Sequence, residues 1–416
     1  MPLGERIKIL RDNAGLKQTD IGRAIGLSAP TISRIEQGIS RPTLKHLNKL
    51  RKYLGIENAP LLDVELIEFK KELLKLKKLI SNGKIEDAIA TSSRLEVIRK
   101  LPFEQDLILL YDILEVAFML ENGDIYEAGH RLRNIANFIK NSSNENIYYF
   151  YHMMGTMHMY EDNATDALEY YKLANSIEED GFEKGKSLDF NIALCYAASG
   201  RHLKALILMQ DLAAELNHKK KCSGDIHLET NIALNFMSLG VLDRAEQMLN
   251  DILARARESK NRYYIGASLH NLGCTYFYWK KYENAIDFFK QADEYNNGKV
   301  EEILENEFFK IFCAIKMKRF RKDTLDYPLK LAKDNEYYTK LINSLDALVN
   351  IRIRESLEYI ENITIPFMIK KSKYERLLLF LDTASEYLWK SFRKKAIEFK
   401  RTSSEIRENI ITKWSD

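Results

Sequence analysis

From Leu3 to Leu54 apolar side chains recur three and four positions apart in short bursts, the spacing that lines one buried face of a helix. Leu3, Ile7 and Leu10 mark a first helix that Gly15 closes, and Gln18 to Ile25 forms a second, with Ile21 and Ile25 inward and Gly26 as its stop. Ser28 reads as the N-cap of a third helix, with Pro30 in its first turn, where a missing amide hydrogen costs nothing. That helix runs to about Gln37 over Ile32 and Ile35, and Gly38 ends it. Pro42-Thr43 opens a fourth, expected to bury Leu44, Leu47, Leu50 and Leu54. After Pro60, the apolar series Leu62, Leu66, Phe69, Leu73, Leu76 and Ile80 predicts a helix connecting this head to the long remainder of the chain.

Beyond residue 80 the pattern becomes periodic. Alanines in similar surroundings stand at Ala88, Ala128, Ala167, Ala205, Ala245 and Ala285, at intervals of 38 to 40 positions. A fixed period in this range is the signature of stacked helical hairpins, each unable to bury its apolar face alone. Small residues in the first helix of a unit (Gly155, Ala193, Ala233, Gly273) let the two helices of a hairpin cross closely, and aromatics fill the gaps between neighbours. About eight or nine hairpins fit the remaining length. The register after residue 300 is degenerate, and Ile363-Thr364-Ile365-Pro366 is expected to break the helical pattern.

The expected fold is therefore all-α: a helix-turn-helix bundle at residues 1–58, a connecting helix at 59–80 and a solenoid at 81–416. Composition sharpens this. The chain has 416 residues but only 18 Gly and 7 Pro, few interruptions for so long a chain, as long helices with short turns require. Its net charge of +3 hides an asymmetry: residues 1–60 carry 11 Lys/Arg against 5 Asp/Glu, a net of +6, which leaves −3 for the rest. A basic head on a near-neutral body points to nucleic acid at one end only. The N-terminus lacks the apolar core of a signal peptide, no run of 18 apolar residues occurs, and Cys195, Cys222, Cys274 and Cys313 are scattered. The expectation is a cytoplasmic protein without membrane spans or disulfides.

Leu16-Lys17-Gln18-Thr19-Asp20-Ile21-Gly22-Arg23-Ala24-Ile25-Gly26-Leu27-Ser28, followed by Thr31-Ile32-Ser33-Arg34-Ile35-Glu36-Gln37-Gly38 and Arg41-Pro42, resembles the Cro/repressor-type (XRE-family) DNA-binding domain. In such a motif the second helix offers its N-terminal outer face to the major groove. That gives Ser28, Ala29, Thr31, Ser33 and Arg34 as base-facing positions, Arg34 as a candidate for a bidentate guanine contact, and the Ala29 or Thr31 methyl for thymine. Lys17, Gln18, Arg23, Arg41 and Lys45 are candidates for phosphate contacts. The Ala29-Pro30 step departs from relatives that carry a long polar side chain just after the serine. In the body, Leu272, Gly273 and Tyr276 with Tyr282, Ala285, Phe289 and Ala292 resemble the tetratricopeptide consensus, which implies a right-handed solenoid.

Aligning the units exposes a second repeat: Asn191, Asn231 and Asn271 each stand 14 positions before the unit's alanine. Asparagine is a mediocre helix former, and its amide offers the donor and acceptor that an extended peptide backbone needs. At about 10 Å between neighbouring first helices, the ladder spans ~20 Å, or about six extended residues. Thr230, His270, Tyr278 and Tyr160 are expected neighbours on that face. The competing reading is that the asparagines bond between helices and hold the solenoid's curvature.

Head, solenoid and ladder together resemble the peptide-responsive Rap–Rgg–NprR–PlcR–PrgX group of quorum-sensing regulators in Gram-positive bacteria and their phages. The resemblance is nearest to the NprR branch or to arbitrium-like phage receptors. It implies a transcriptional regulator switched by a short oligopeptide of roughly six residues or slightly more, acting as a homodimer on two operator half-sites. Two alternatives stay open: a solenoid that binds a folded, phosphorelay-type partner, and a ligand-free oligomeric repressor. No catalytic group, metal pair or cofactor cradle stands out. His152 and His158 share no helix face, three lysines separate His218 from Cys222, and Glu178-Glu179-Asp180 reads as a solvated helix end. The terminal stretch from Pro366, with Trp389, Phe392 and Phe399, is expected to cap the solenoid or pair subunits.

Overall fold

A computed structural model describes residues 1–416 except 82–84, 179–181, 183, 186, 220–224, 297, 371–373 and 413–416. Cys222, the lysines at 220 and 221, and the acidic pair at 179 and 180 therefore lie outside the described residues. Among those described, all regular structure is helical, and the chain divides into two compact units. One comprises Met1–Glu161 with Asp166–Gly185, the other Asp162–Thr165 with Lys186–Asp416.

The first unit begins with the head: α1 (Leu3–Asn13), α2 (Gln18–Ile25), α3 (Ala29–Glu36) and α4 (Leu44–Tyr53). Gly26 takes a left-handed φ of 82°, which a side chain would strain, and so turns the chain sharply from α2 into α3. Ile7, Leu10, Ile21, Ile25, Ile32, Ile35, Leu47 and Leu50 form its core. Leu44 does not join it: it is 62% exposed. It occupies the first position of α4 after the Thr43 N-cap, where no neighbouring helix reaches it. Leu54, expected in the core, is half-buried at the far end of the same helix. The unit continues with α5 (Asp63–Ser81), α6 (Ile85–Leu95), α7 (Gln105–Glu121), α8 (Ile125–Ala136), α9 (Asn144–Tyr160) and α10 (Ala164–Ser176), of which the first two residues belong to the other unit. Instead of spanning freely between head and body, α5 packs against α6 and α7 as the first helix of a hairpin.

The second unit stacks α11 (Ser187–Ala198) with α12 (His202–Lys219), α13 (Ile226–Ser238) with α14 (Leu242–Glu258), and α15 (Arg262–Tyr278) with α16 (Tyr282–Asp293). It goes on through α17 (Val300–Lys316), α18 (Asp326–Leu331), α19 (Glu336–Val349), α20 (Arg354–Tyr359), α21 (Ile365–Lys370) and a closing pair, α22 (Tyr374–Leu388) with α23 (Arg393–Thr412). The six periodic alanines each occupy the fourth position of the second helix of a hairpin, and each is 0% exposed. Opposite them the small residues of the first helices are equally constrained. A Cβ on Gly155 would lie 2.6 Å from the Tyr171 ring, and one on Gly273 would lie 2.6 Å from the Phe289 ring. Where the small residue is Ala193 or Ala233, its counterpart on the second helix is aliphatic, Met209 or Leu249, within the same core clusters.

The expected break at Ile363–Pro366 is not there. Residues Ile360–Thr364 form a π-helical turn that carries α20 into α21, with the Ile365 N–H reaching the Ile360 carbonyl. The wider turn absorbs the donor that Pro366 lacks, so the proline is accommodated at the start of α21.

Candidate nucleic-acid interface and peptide groove

The head's three N-terminal helices are held in register by one charged cluster. Arg11 on α1 donates to Glu36 at the end of α3 through Nε (2.6 Å) and Nη2 (3.0 Å), and Gln18 Nε2 on α2 donates to the same carboxylate at 2.9 Å. The Glu36 side chain is only 4% exposed. Burial opposes its ionisation, but the hydrogen bonds from Arg11 and Gln18 outweigh that and hold its pKa below the ordinary carboxylate value. Gln18 thus spends one N–H of its amide inside the head, where the first turn of α2 faces the end of α3.

The remaining head residues fall into two sets. Ser28 caps α3, its hydroxyl accepting from the Thr31 N–H at 3.4 Å and lying 2.8 Å from Thr31 Oγ1, so these two hydroxyls satisfy each other. Ala29 and Ser33 are half-buried along the same face. Arg34 is exposed, and its guanidinium has no protein partner among the described residues. Lys17, Arg23, Arg41 and Lys45 are exposed around this face. Two cations escaped the sequence reading, Lys49 and Lys52, which follow Lys45 on one edge of α4. Their i, i+4, i+7 spacing was the available signal. Lys49 Nζ lies 3.4 Å from the Ile25 carbonyl, so this edge adjoins the end of α2.

In the second unit Asn191, Asn231 and Asn271 are half-buried at matching places on α11, α13 and α15. Helical spacing puts Leu194 and Ala198, Leu234 and Ser238, and Cys274 and Tyr278 on the same three faces. Asn231 donates only to the His227 carbonyl one turn back, at 2.9 Å, which leaves its carbonyl oxygen without a described partner. Asn191 is engaged by a neighbouring group. Two other asparagines bond between helices. Asn235, 2% exposed, sits beside Met209, and its Oδ1 accepts from His202 Nδ1 at 3.1 Å. Asn306, 1% exposed, bridges His270 Nδ1 at 2.6 Å and Asp293 at 2.7 Å.

That last contact corrects one expectation. His270 is not a neighbour of the ladder: its ring packs beside Phe289 and Phe309, and burial pushes its pKa down. One residue along a helix is about 100° around it, enough to carry His270 from the ladder's face into the interhelical space. Thr230 spends its hydroxyl on the Ile226 carbonyl at 2.7 Å. Tyr278 stays on the face, 41% exposed. Tyr160 belongs to the other compact unit, at the end of α9, 42% exposed, its pKa raised by burial and by the nearby Glu121 carboxylate. Across from α12 and α13, Glu375 at the start of α22 approaches His202 Nε2 to 3.5 Å. Beside it Arg376 joins Glu305 and Tyr337 in a partly buried polar network.

Among the described residues no cluster of three or more His, Cys, Asp or Glu is placed to hold a metal ion. Cys195 and Cys313 are buried, with pKa values pushed up to about 12, so both thiols stay protonated at neutral pH. Burial likewise pushes His152 down to about 3. No described helix is long and apolar enough to cross a membrane.

Comparisons with known proteins match this layout. A helix-turn-helix family model matches residues 7–57, and a tetratricopeptide-repeat model matches residues 226–292. The transcriptional activator NprA of Geobacillus stearothermophilus is 23% identical over 410 residues, covering 92% of this chain and 98% of its own. A Rap protein complexed with competence and sporulation factor superposes with a TM-score of 0.70 at 19% identity, covering 83% of this chain and 99% of that one. NprR in complex with its cognate peptide NprX does so with a TM-score of 0.64 at 17% identity, covering 82% and 99%. The chain thus joins a helix-turn-helix domain to a tetratricopeptide-repeat body, and over nearly its whole length it is similar to a transcriptional activator.

Proposed function

We propose that this chain is a transcriptional regulator that acts in the cytoplasm as a homodimer. On this reading residues 1–58 bind two operator half-sites, and the body from residue 59 onward binds a short extended oligopeptide along the face of Asn191, Asn231 and Asn271. The observation that carries the reading is the division of labour among asparagines in the second unit. Asn235 and Asn306 are buried and make the interhelical bonds, whereas Asn231 and Asn271 keep side-chain capacity on an accessible face. This division favours a binding role for the ladder over a structural one, and the complex of the NprR relative with its cognate peptide supports a peptide as its occupant. A peptide switches DNA binding only to the extent that it binds two states of the protein unequally. DNA selection by the purified chain with and without peptide extract tests the whole reading; a selected sequence that ignores every extract would sink the switch.

At residue level, Asn231→Ala and Asn271→Ala are each expected to weaken peptide binding by about 1 kcal/mol, a roughly fivefold rise in Kd by calorimetry. Unchanged Kd in both variants would remove the ladder from the site. On the DNA side, Arg34→Ala is expected to cost about 1–3 kcal/mol and relax preference at one base position, while Lys45→Ala lowers affinity evenly across sequences and reduces the salt slope by about one. Binding titrations over a panel of single-base operator variants at several salt concentrations separate the two.

A further inference from the structure

The head does not hang from the body on a loose tether. Among the described residues no head helix packs lengthwise on a body helix. Between them the chain makes two left-handed bends, at Gly55 (φ 61°) and Asn58 (φ 66°), and buries Ile56, Ala59 and Leu61 as a small apolar plug. A plug of three side chains resists separation but fixes no angle, because apolar contact is non-directional. Directional bonds supply the angle, and two arginines of the head make most of them.

Arg6 on α1 is 4% exposed. Its Nη1 donates to the Leu61 carbonyl at 2.8 Å, its Nη2 lies 2.7 Å from Asp63 Oδ1 at the start of α5, and its Nε lies 3.6 Å from Glu104 just before α7. One guanidinium thus bonds the head to the start of α5 and brings a charge near the residue that precedes α7. Arg51 on α4, 8% exposed, donates to the Ala59 carbonyl at 2.9 Å and pairs with Glu65 on α5. That carboxylate also accepts the Leu61 and Leu62 N–H groups at 2.9 and 3.0 Å, so the same side chain that caps α5 grips the head. From the opposite side, Lys100 Nζ donates to the Gly55 carbonyl at 3.0 Å. The planar fork of arginine makes such contacts orienting, which a lysine ammonium would not.

We propose that Arg6 and Arg51 are positioning residues for DNA binding: they fix the angle of the head on the first body hairpins and thereby set the half-site spacing that a dimer accepts. The inference rests on the two-half-site reading above. Neither arginine touches DNA in this account, so each should leave affinity for an isolated half-site within about threefold of wild type while altering spacing selectivity. The test titrates full-length protein against operators whose half-site spacing is stepped one base pair at a time. For wild type, affinity should fall about tenfold or more within two base pairs of the optimum, because each base pair also rotates one half-site around the DNA axis. In Arg6→Ala and Arg51→Ala that optimum should flatten to less than about threefold, and Arg6→Lys should not restore it. A sharp, wild-type optimum in both alanine variants overturns the proposal.

A second measurement needs no DNA. Nitroxides on Asn13→Cys in the head and Glu127→Cys on α8, diluted in unlabelled protein, report the intramolecular distance distribution. It should be narrow in the otherwise wild-type chain and visibly broader when Arg6→Ala is added; equal widths overturn the latch. If the unmodified protein shows no spacing optimum at all, the two-half-site reading fails, and the distance widths still decide whether the arginines hold the head.

Discussion

Gly4→Ala is expected to weaken operator binding about 100-fold while leaving the body folded. A Cβ at this position would stand 2.2 Å from the Ile35 carbonyl oxygen and 2.9 Å from that of Glu36. Both oxygens are backbone atoms at the C-terminal end of α3, so no side-chain rotation relieves the clash; α1 or α3 must move. Overpacking that forces backbone shifts costs about 3 kcal/mol, and a four-helix head of this size has little stability in reserve. The expected result is a loss of operator affinity on the order of 100-fold, with the far-ultraviolet circular dichroism of the long solenoid nearly unchanged. Retained affinity within about threefold would show that α1 and α3 are not as tightly apposed as described.

The second large effect lies in the Arg11–Glu36–Gln18 cluster. Glu36→Gln leaves the Arg11 guanidinium, 11% exposed, facing a neutral amide. Removing one partner of a buried ion pair costs about 3 kcal/mol or more, here expressed as early melting of the head and loss of DNA binding. The wild-type pair also carries a pH dependence whose sign follows from the depressed Glu36 pKa. The folded state binds this proton less readily than the unfolded chain does. The stabilisation is therefore full above the ordinary glutamate pKa of about 4.5 and is lost as pH falls through the lower, folded value. Thermal unfolding of the isolated head transition should shift to lower temperature as the pH falls below about 5, and Glu36→Gln should flatten that dependence. Equal slopes in the two proteins would assign the acid sensitivity to other carboxylates.

Much of this architecture was legible in the residues, for physical reasons that differ from place to place. Ser28, Pro30, Gly26 and Gly38 announced their caps and stops because local backbone chemistry decides those positions without help from tertiary contacts. The alanine period was legible because each helix crossing imposes the same steric limit, met by the same residue at the same place. What failed were statements about which way a side chain faces when two packing partners compete for it. Leu44 has helical spacing but no neighbour above the first turn of α4; His270 has a ladder residue beside it in sequence and an interhelical asparagine beside it in space. Glu36, Arg6 and Arg51 were invisible for the same reason. Each looks like an ordinary surface charge until the fold brings up a partner distant in sequence: Arg11 for Glu36, Asp63 for Arg6, Glu65 for Arg51. Pro366 misled in the other direction, since a rare π turn can host what an α-helix would refuse.

The constant offset between Gly155 and Tyr171, Ala193 and Met209, Ala233 and Leu249, and Gly273 and Phe289 has a consequence for how such a chain can change. Each crossing keeps the sum of two volumes nearly fixed and leaves the individual sizes free. A hairpin is then a self-contained exchangeable part: it can be duplicated or moved within the array provided both members of its pair travel together. Recombination that cuts between them would join a glycine to a leucine, leaving a void, or an alanine to a phenylalanine, forcing a clash. Breakpoints are therefore tolerated in the turns between hairpins and penalised in the turns within them. The solenoid can lengthen or diversify by whole hairpins far more readily than by single helices.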